Sequence, residues 1–445
     1  MVSRTFVTYS TPQQLLTEVT VFYLNSREFN GLPIYVIRGT KEDIEAAICE
    51  LIRRGELNVC LGDVFPNPHI QALEPESPEV QLDKFRRLST EHACLYPSRA
   101  HLREIVHRQD YAGRPFTLNL ALGEPRLIPH YFDLTVLEIY RNDPRYHYDV
   151  ADSEGAISVK DKHYGSPGFR EADQILMKSF GFGYSNDLNQ RVVVAYQYYL
   201  HLLSPEHQQL WAAKEIRGNY FVHPDYKRTT FGHMPEGISI FQAFLEELSL
   251  TNQASAQIKR IPMFQCEYYG KDRPREFGFL IRPTVREYET FATTLDKMIS
   301  ENLDRKFFID EIDEYREVKQ SGDTVSMEQK GTISLLSEWL DSHVRFQDPE
   351  IKRKLVKTLQ DIRKERSIAA HLITDNQFDM SLVVKQRDLM SRAYSAMMTL
   401  RKALQLCSLV DLEIPSWYQK VKVWKYRSSI AFRSSAVPFP PHFRC

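Results

Sequence analysis

Asp361-Ile362-Arg363-Lys364-Glu365-Arg366-Ser367-Ile368-Ala369-Ala370-His371 is the stretch on which the fold of the C-terminal third turns. Upstream of it, Asp348-Pro349-Glu350 supplies an N-cap, a proline at the first helical position and an acid in the first turn, all in register. Ile351, Leu355, Leu359 and Ile362 then recur at spacings of four and three, which predicts a helix with one apolar face. The next member of that face is Arg366. An arginine where leucine is expected either carries its charged end to the edge of the interface or serves a site.

The surrounding pattern is helical as well. Thr284 and Glu287 form a capping box. Tyr288, Phe291, Ala292, Leu295, Met298, Ile299 and Leu303 follow at helical spacing. A second helix is predicted from about Thr332 to Val344, with Ile333, Leu336, Leu340 and Val344 inward. The quoted stretch ends the third. After the loop Thr374 to Asp379, the fourth runs from Ser381 to Leu406 with Leu382, Leu389, Ala393, Met397, Leu400 and Leu404 inward. Four such helices with short links after the first predict an antiparallel bundle over 283–410. The expected fold class is therefore an α+β N-terminal region, 1–282, followed by an all-α C-terminal helical bundle. A basic aromatic tail, 411–445, completes the chain.

In the N-terminal region, strands are expected at Leu32 to Ile37, Leu57 to Leu61, Phe116 to Leu120, Phe132 to Val136 and Phe277 to Ile281. Helices are expected at Lys41 to Arg54, Arg191 to Leu203, after the Ser204-Pro205-Glu206 cap, and at Ile238 to Leu250. The Arg191–Leu203 segment is apolar almost all round and should be buried. The polar, turn-rich stretch 141–168 suggests a subdomain boundary. Strand, helix and strand over 30–65 have the size of part of a winged helix, but no clear second helix follows. Phe180-Gly181-Phe182-Gly183-Tyr184 lacks a following GK[ST] and makes no case for a nucleotide.

Composition sets the outer limits. The chain has 445 residues, 42% apolar and 26% charged, with a net charge of −1. This is ordinary for a globular protein of two or three domains, with no global pull toward nucleic acid or anionic membrane. The six cysteines are scattered without a CxxC, which argues against a zinc module or a disulfide framework and fits a reducing, cytoplasmic setting. No signal peptide, membrane association or cofactor is expected. His223 and His233 are the nearest approach to a metal pair, and loop or core roles are the simpler account of both.

The chemistry concentrates at Arg366 and His371. Five residues turn an ideal helix by about 140°, so the two flank a strip of surface made of small residues, Ser367, Ala369 and Ala370. RNA carries its own nucleophile, the 2′-hydroxyl. Its cleavage needs a base, an acid and positive charge on the phosphate, which histidine and arginine supply near neutral pH. One of each is half a set, and a two-fold dimer of such helices brings two of each together.

Ile362 to His371, with its Arg, four residues, then His, resembles the signature of the HEPN superfamily of helical-bundle domains. The order of helices, with one more long helix after the motif, is similar too. The resemblance covers roughly 283–407. It implies a metal-independent endoribonuclease of the toxin or phage-defence type, acting as a homodimer, with Arg366 and His371 catalytic. Ser367 stands where active members commonly carry Asn, Asp or His and can still hydrogen-bond. RNA is the implied partner, with a regulatory protein or antitoxin besides. Arg363 and Lys364 beside the motif, and Lys422, Trp424 and Lys425 in the tail, are the candidate RNA-binding residues. For the tail, an edge strand packing back onto the N-terminal part is the plainer expectation. The Asn219–Arg228 segment reads as a ligand or RNA loop, or as a packed turn. The alternatives are a non-catalytic HEPN-like dimerisation or binding protein and, more remotely, a DNA-binding regulator using residues 30–65.

Overall fold

A computed structural model describes residues 7–62, 76–186, 190–319, 325–371, 375–406, 410–420 and 422–424, and only the backbone of 271, 319, 325 and 367–371. The architecture is mixed α and β, with the main sheets before residue 240 and the long helices after it. The part expected to be all-α is not wholly so, because Tyr315–Lys319 pairs antiparallel with Val325–Gln329, where Tyr315, Glu317, Met327 and Gln329 alternate with their neighbours in the strand manner. Among these residues no helix is long and apolar enough to cross a membrane.

The N-terminal part is built on the helix Lys41–Arg53, capped by Thr40, whose hydroxyl accepts from the Asp43 amide at 3.2 Å. Its Ile48, Leu51 and Ile52 pack with Leu32, Leu57 and Leu95 of a small sheet ordered Leu32–Pro33, Cys94–Pro97, Leu57–Cys60. The strand expected over 32–37 is interrupted. Pro33 has no N–H with which to continue a ladder. Ile34–Val36 form a 3-10 turn, and Ile37–Arg38 pair instead with Val7–Thr8. The outward face of the helix carries Glu42 and Asp43 beside Lys41, a poor surface for duplex phosphates.

A six-stranded antiparallel sheet forms the middle. Its order is Pro129–Phe132, Arg191–Tyr196, Leu176–Ser185, Glu154–Val159, Tyr146–Val150, with Tyr220–Val222 also pairing Leu176–Ser185. Four sequence expectations fail here. Arg191–Tyr196 is a strand, not a helix, and only Gln197–Leu200 is helical. Val193 and Ala195 enter the core under one face of the sheet, while Val192, Val194 and Tyr196 enter the cluster on the other. A strand covered on both faces loses its alternation and reads like a buried helix. Conversely, Phe116–Leu120 lies in the short helix Pro115–Ala121, where Phe116 and Leu120 are four apart on its buried side. Phe277–Ile281 is no strand: the Leu280 amide and Gly278 carbonyl bond the Gln386 side chain, and the Ile281 amide bonds Glu287. The strand expected at 132–136 is shifted to 129–132, with a 3-10 turn at Leu134–Leu137. The stretch 141–168 holds two strands of the sheet, and its Tyr146, Ile157 and Val159 join the core of Phe116 and Trp211. Gly181 has a mechanical reason: a Cβ there would sit 2.0 Å from the Tyr226 ring.

The helices after residue 240 share one core. It draws Phe244 and Leu248 from Ile240–Lys259, Phe291 and Leu295 from Val285–Ile299, Leu336 and Trp339 from Thr332–His343, Leu355 and Ile362 from Pro349–His371, and Met397 and Leu404 from Ser381–Gln405. The helical body therefore begins upstream of residue 283, because the 240–259 helix is buried almost all round against the last long helix. Thr284 caps as expected, accepting from the Glu287 amide at 3.3 Å. Asp348 accepts from the Glu350 amide at 2.9 Å. Ile351, expected inward, is exposed in the first turn.

After the short helix Ser416–Lys420, Lys422–Trp424 pairs in parallel with Gly237–Ser239. A Cβ on Gly237 would lie 2.2 Å from Trp424 Nε1. Gly237→Ala is thus expected to unseat this strand, lowering stability by about 1–3 kcal/mol. Trp424 would then become open to iodide quenching. Comparison with Gly237→Ala/Trp424→Phe isolates that tryptophan, and unchanged quenching would contradict the packing described.

Candidate functional site

Arg366 sits where the apolar face of its helix meets the Val285–Ile299 helix and the turn after it. Its Nη1 donates to Asp296 Oδ2 at 2.9 Å and also to Glu301 Oε1. Asp296 is fully buried, while Arg366 keeps a third of its side-chain surface in solvent. The bonds to Asp296 first, and Glu301 second, raise the arginine's pKa above its ordinary value. Both contacts use one nitrogen. Among the described residues Nε and Nη2 make no hydrogen bond, so the edge of the guanidinium best shaped for two phosphate oxygens is open.

The sequence reading missed this carboxylate clamp, although a signal was present. Asp296 follows Ala292 by four residues on the inward face of its helix, an acid among Leu295, Met298 and Ile299. An inward acid on one helix and an inward arginine on another imply each other, because neither charge can be buried alone. Asp296 Oδ1 and the neighbouring Ser300 Oγ are buried without a partner among the described residues.

His371 is the last residue of the motif helix, and Ser367 lies within it. Their side chains fall outside the described residues, as does all of Lys425. Arg363 Nη1 lies over Gly331, at the start of the Thr332–His343 helix. Lys364 is exposed. Glu365 receives Lys385 Nζ at 2.6 Å, and that ammonium sits 4.7 Å from the centre of the Tyr288 ring.

The tail residues belong elsewhere. Trp424 is buried and donates from Nε1 to Asp225 Oδ2 at 2.6 Å, with its ring edge-on to His223. It is not available for stacking on a base. Lys422 is exposed, its Nζ 4.4 Å from the Trp424 ring centre. The two tail residues are thus apart in role: one anchors the strand, the other faces solvent. Asp225 is also bonded by the Glu236 and Gly237 amides, so the Asn219–Arg228 segment is a packed turn around a buried carboxylate. His223 caps the helix Pro224–Thr230, its Nδ1 accepting from the Asp225 amide at 3.2 Å, while His233 is exposed.

No family model, curated protein or solved structure matches the chain.

Removing one partner of the Arg366 pair separates its energetics. Arg366→Met strands Asp296 as a buried charge and is expected to cost about 3–5 kcal/mol in urea unfolding. Arg366→Met/Asp296→Leu should recover most of that, and Glu301→Gln, at the exposed end, should cost less than about 1 kcal/mol. Acid stability tests the other buried cluster. Burial pushes His223 well below its ordinary value, opposed by Asp225 and aided by Arg191. The folded state therefore keeps His223 neutral below pH ~6.5 while the unfolded chain takes up a proton. As pH drops from about 6.5 toward about 4, stability should be lost by up to about 1.4 kcal/mol per unit from this group. His223→Asn, which retains a capping acceptor, should remove this share of the slope and leave that of His201 and His207, which burial also depresses.

Proposed function

We propose that the chain is a HEPN-type, metal-independent endoribonuclease that cleaves RNA through its own 2′-hydroxyl. The support is the open Nε/Nη2 edge of Arg366, fixed in place by Asp296 on a helix that ends at His371. A guanidinium already held in position loses little freedom when it meets the crowded phosphate of the transition state. In this reading Arg366 takes that charge, and His371 acts as base or acid with its counterpart in a two-fold dimer. Ser367 assists by hydrogen bonding. The region before the helical body senses a trigger or restrains the nuclease, in the manner of a toxin or phage-defence effector, with a regulatory protein or antitoxin as a further partner.

A second reading has its own observation. Two carboxylates against one guanidinium leave the Arg366 cluster net negative, which suits a fixed structural pair better than an anion site. In that case the helical body is a non-catalytic dimerisation or binding module.

Cleavage of a mixed tRNA and mRNA pool in EDTA decides between them. Wild type should give fragments ending in 2′,3′-cyclic phosphate. His371→Ala and Arg366→Ala should each lower the rate at least about 100-fold. Equal cleavage by wild type and His371→Ala would overturn the nuclease reading. So would silence from a folded, dimeric wild type supplied with extract of phage-infected cells.

A further inference from the structure

The helix that carries the motif has an uneven charge ledger. Each of its acids is met by a cation: Glu350 by Arg353, Asp361 by Arg392 at 3.0 Å, and Glu365 by Lys385 at 2.6 Å. The cations Lys352 and Arg366 are likewise occupied, by Asp341 and by the clamp. Lys354, Lys357 and Lys364 are exposed, and among the described residues none has an ion pair. Asp361 lies between Lys357 and Lys364 in the same arc, and its Arg392 also holds Asp388 of the packed neighbour Ser381–Gln405 at 2.9 Å, so one arginine answers two carboxylates and the three lysines outnumber the single acid left over.

Helix geometry puts the three lysines together. They lie within about 80° of one another around the axis and span about 15 Å along it. The backbone of His371 continues the same line, about 10 Å beyond Lys364 and about 20° round. Arg366 lies on the far side of that line, toward the apolar face. A lysine left without an acid in a chain whose net charge is −1 is a local departure from balance, and three in line on one helix make a directed positive stripe.

We propose that Lys354, Lys357 and Lys364 form a track for the phosphates of single-stranded RNA, leading along the motif helix to its C-terminal end. The choice of RNA rests on the nuclease reading, but binding along the track does not require cleavage. Lysine suits this task because it meets phosphate as a mobile point charge without fixing base sequence. The track would hold a strand upstream of the site in one direction, so the cut would fall near one end of the bound segment.

The test uses the full chain with His371→Ala, so that RNA survives, and a labelled unstructured oligoribonucleotide as probe. Affinity is measured by anisotropy across a salt series. Neutralising three phosphate contacts to a single strand should lower the slope of log affinity against log salt by about 2, which shrinks the affinity lost between 50 and 200 mM salt by roughly 20-fold. The variant is Lys354→Gln/Lys357→Gln/Lys364→Gln, a change that leaves helix propensity almost untouched. Removing three exposed lysines elsewhere, Lys178, Lys214 and Lys227, should leave the slope in place. An unchanged slope in the stripe variant, with its helical circular dichroism intact, overturns the proposal. So does equal loss in both triple variants, or a stripe that governs binding to anionic phospholipid vesicles and not to RNA. Failure of the nuclease reading is distinguishable: wild type would then bind RNA with the same stripe dependence and never cut it.

Discussion

A charge taken out of water has to be met where it lands, and one buried pair sets the geometry of the helical body. Glu247, 1% exposed, faces Arg401, 5% exposed, with Nε donating to Oε2 at 2.5 Å. Glu247 lies on the helix Ile240–Lys259 and Arg401 on Ser381–Gln405, so the pair fixes how these two long helices sit against each other. Such a pair gives little net stability over an apolar substitute, but every slipped register leaves a bare charge in the core. Tyr418 then donates to Glu247 Oε1 at 2.9 Å. The same carboxylate therefore seats the C-terminal segment on the helices.

From that seat the chain reaches the sheet region. Lys422–Trp424 runs beside Gly237–Ser239, and the Trp424 indole satisfies Asp225, a second buried carboxylate. Other links reinforce the contact between the sheet and the helices. Glu287, in the first turn of Val285–Ile299, accepts from the Ile281 and Arg282 amides and pairs with Arg141. Arg282 pairs with Glu138. The cap of one helix is thereby also its bond to the sheet region.

Arg366 follows the same electrostatic rule with a different outcome. Asp296 is as deeply buried as Glu247, yet its arginine is not: a third of Arg366 remains in water and only one nitrogen is engaged. A pair built purely for burial uses the guanidinium from two sides, as Arg401 does through Nε and Nη2 on Glu247. The contrast is what gives Arg366 chemical interest. It is held firmly enough to be a fixed charge and openly enough to meet a ligand.

The helices after Thr284 were legible because each carries its own signals: Thr284 and Asp348 as caps, Pro349 at a first turn, and apolar residues at three and four. The charge of Arg366 on an apolar face was legible for the same local reason. What the sequence determined alone was where those helices run and that this arginine needs an answer. Tertiary structure decided the rest. Arg191–Tyr196 became a strand because other chain segments cover both of its faces, and Trp424 became an anchor because its indole adds a third donor to Asp225, a buried carboxylate nearly two hundred residues away that the Glu236 and Gly237 amides already bond. The partners of Arg366 were decided the same way: Asp296 and Glu301 approach only when two helices pack, and no spacing within one helix encodes a contact made between two.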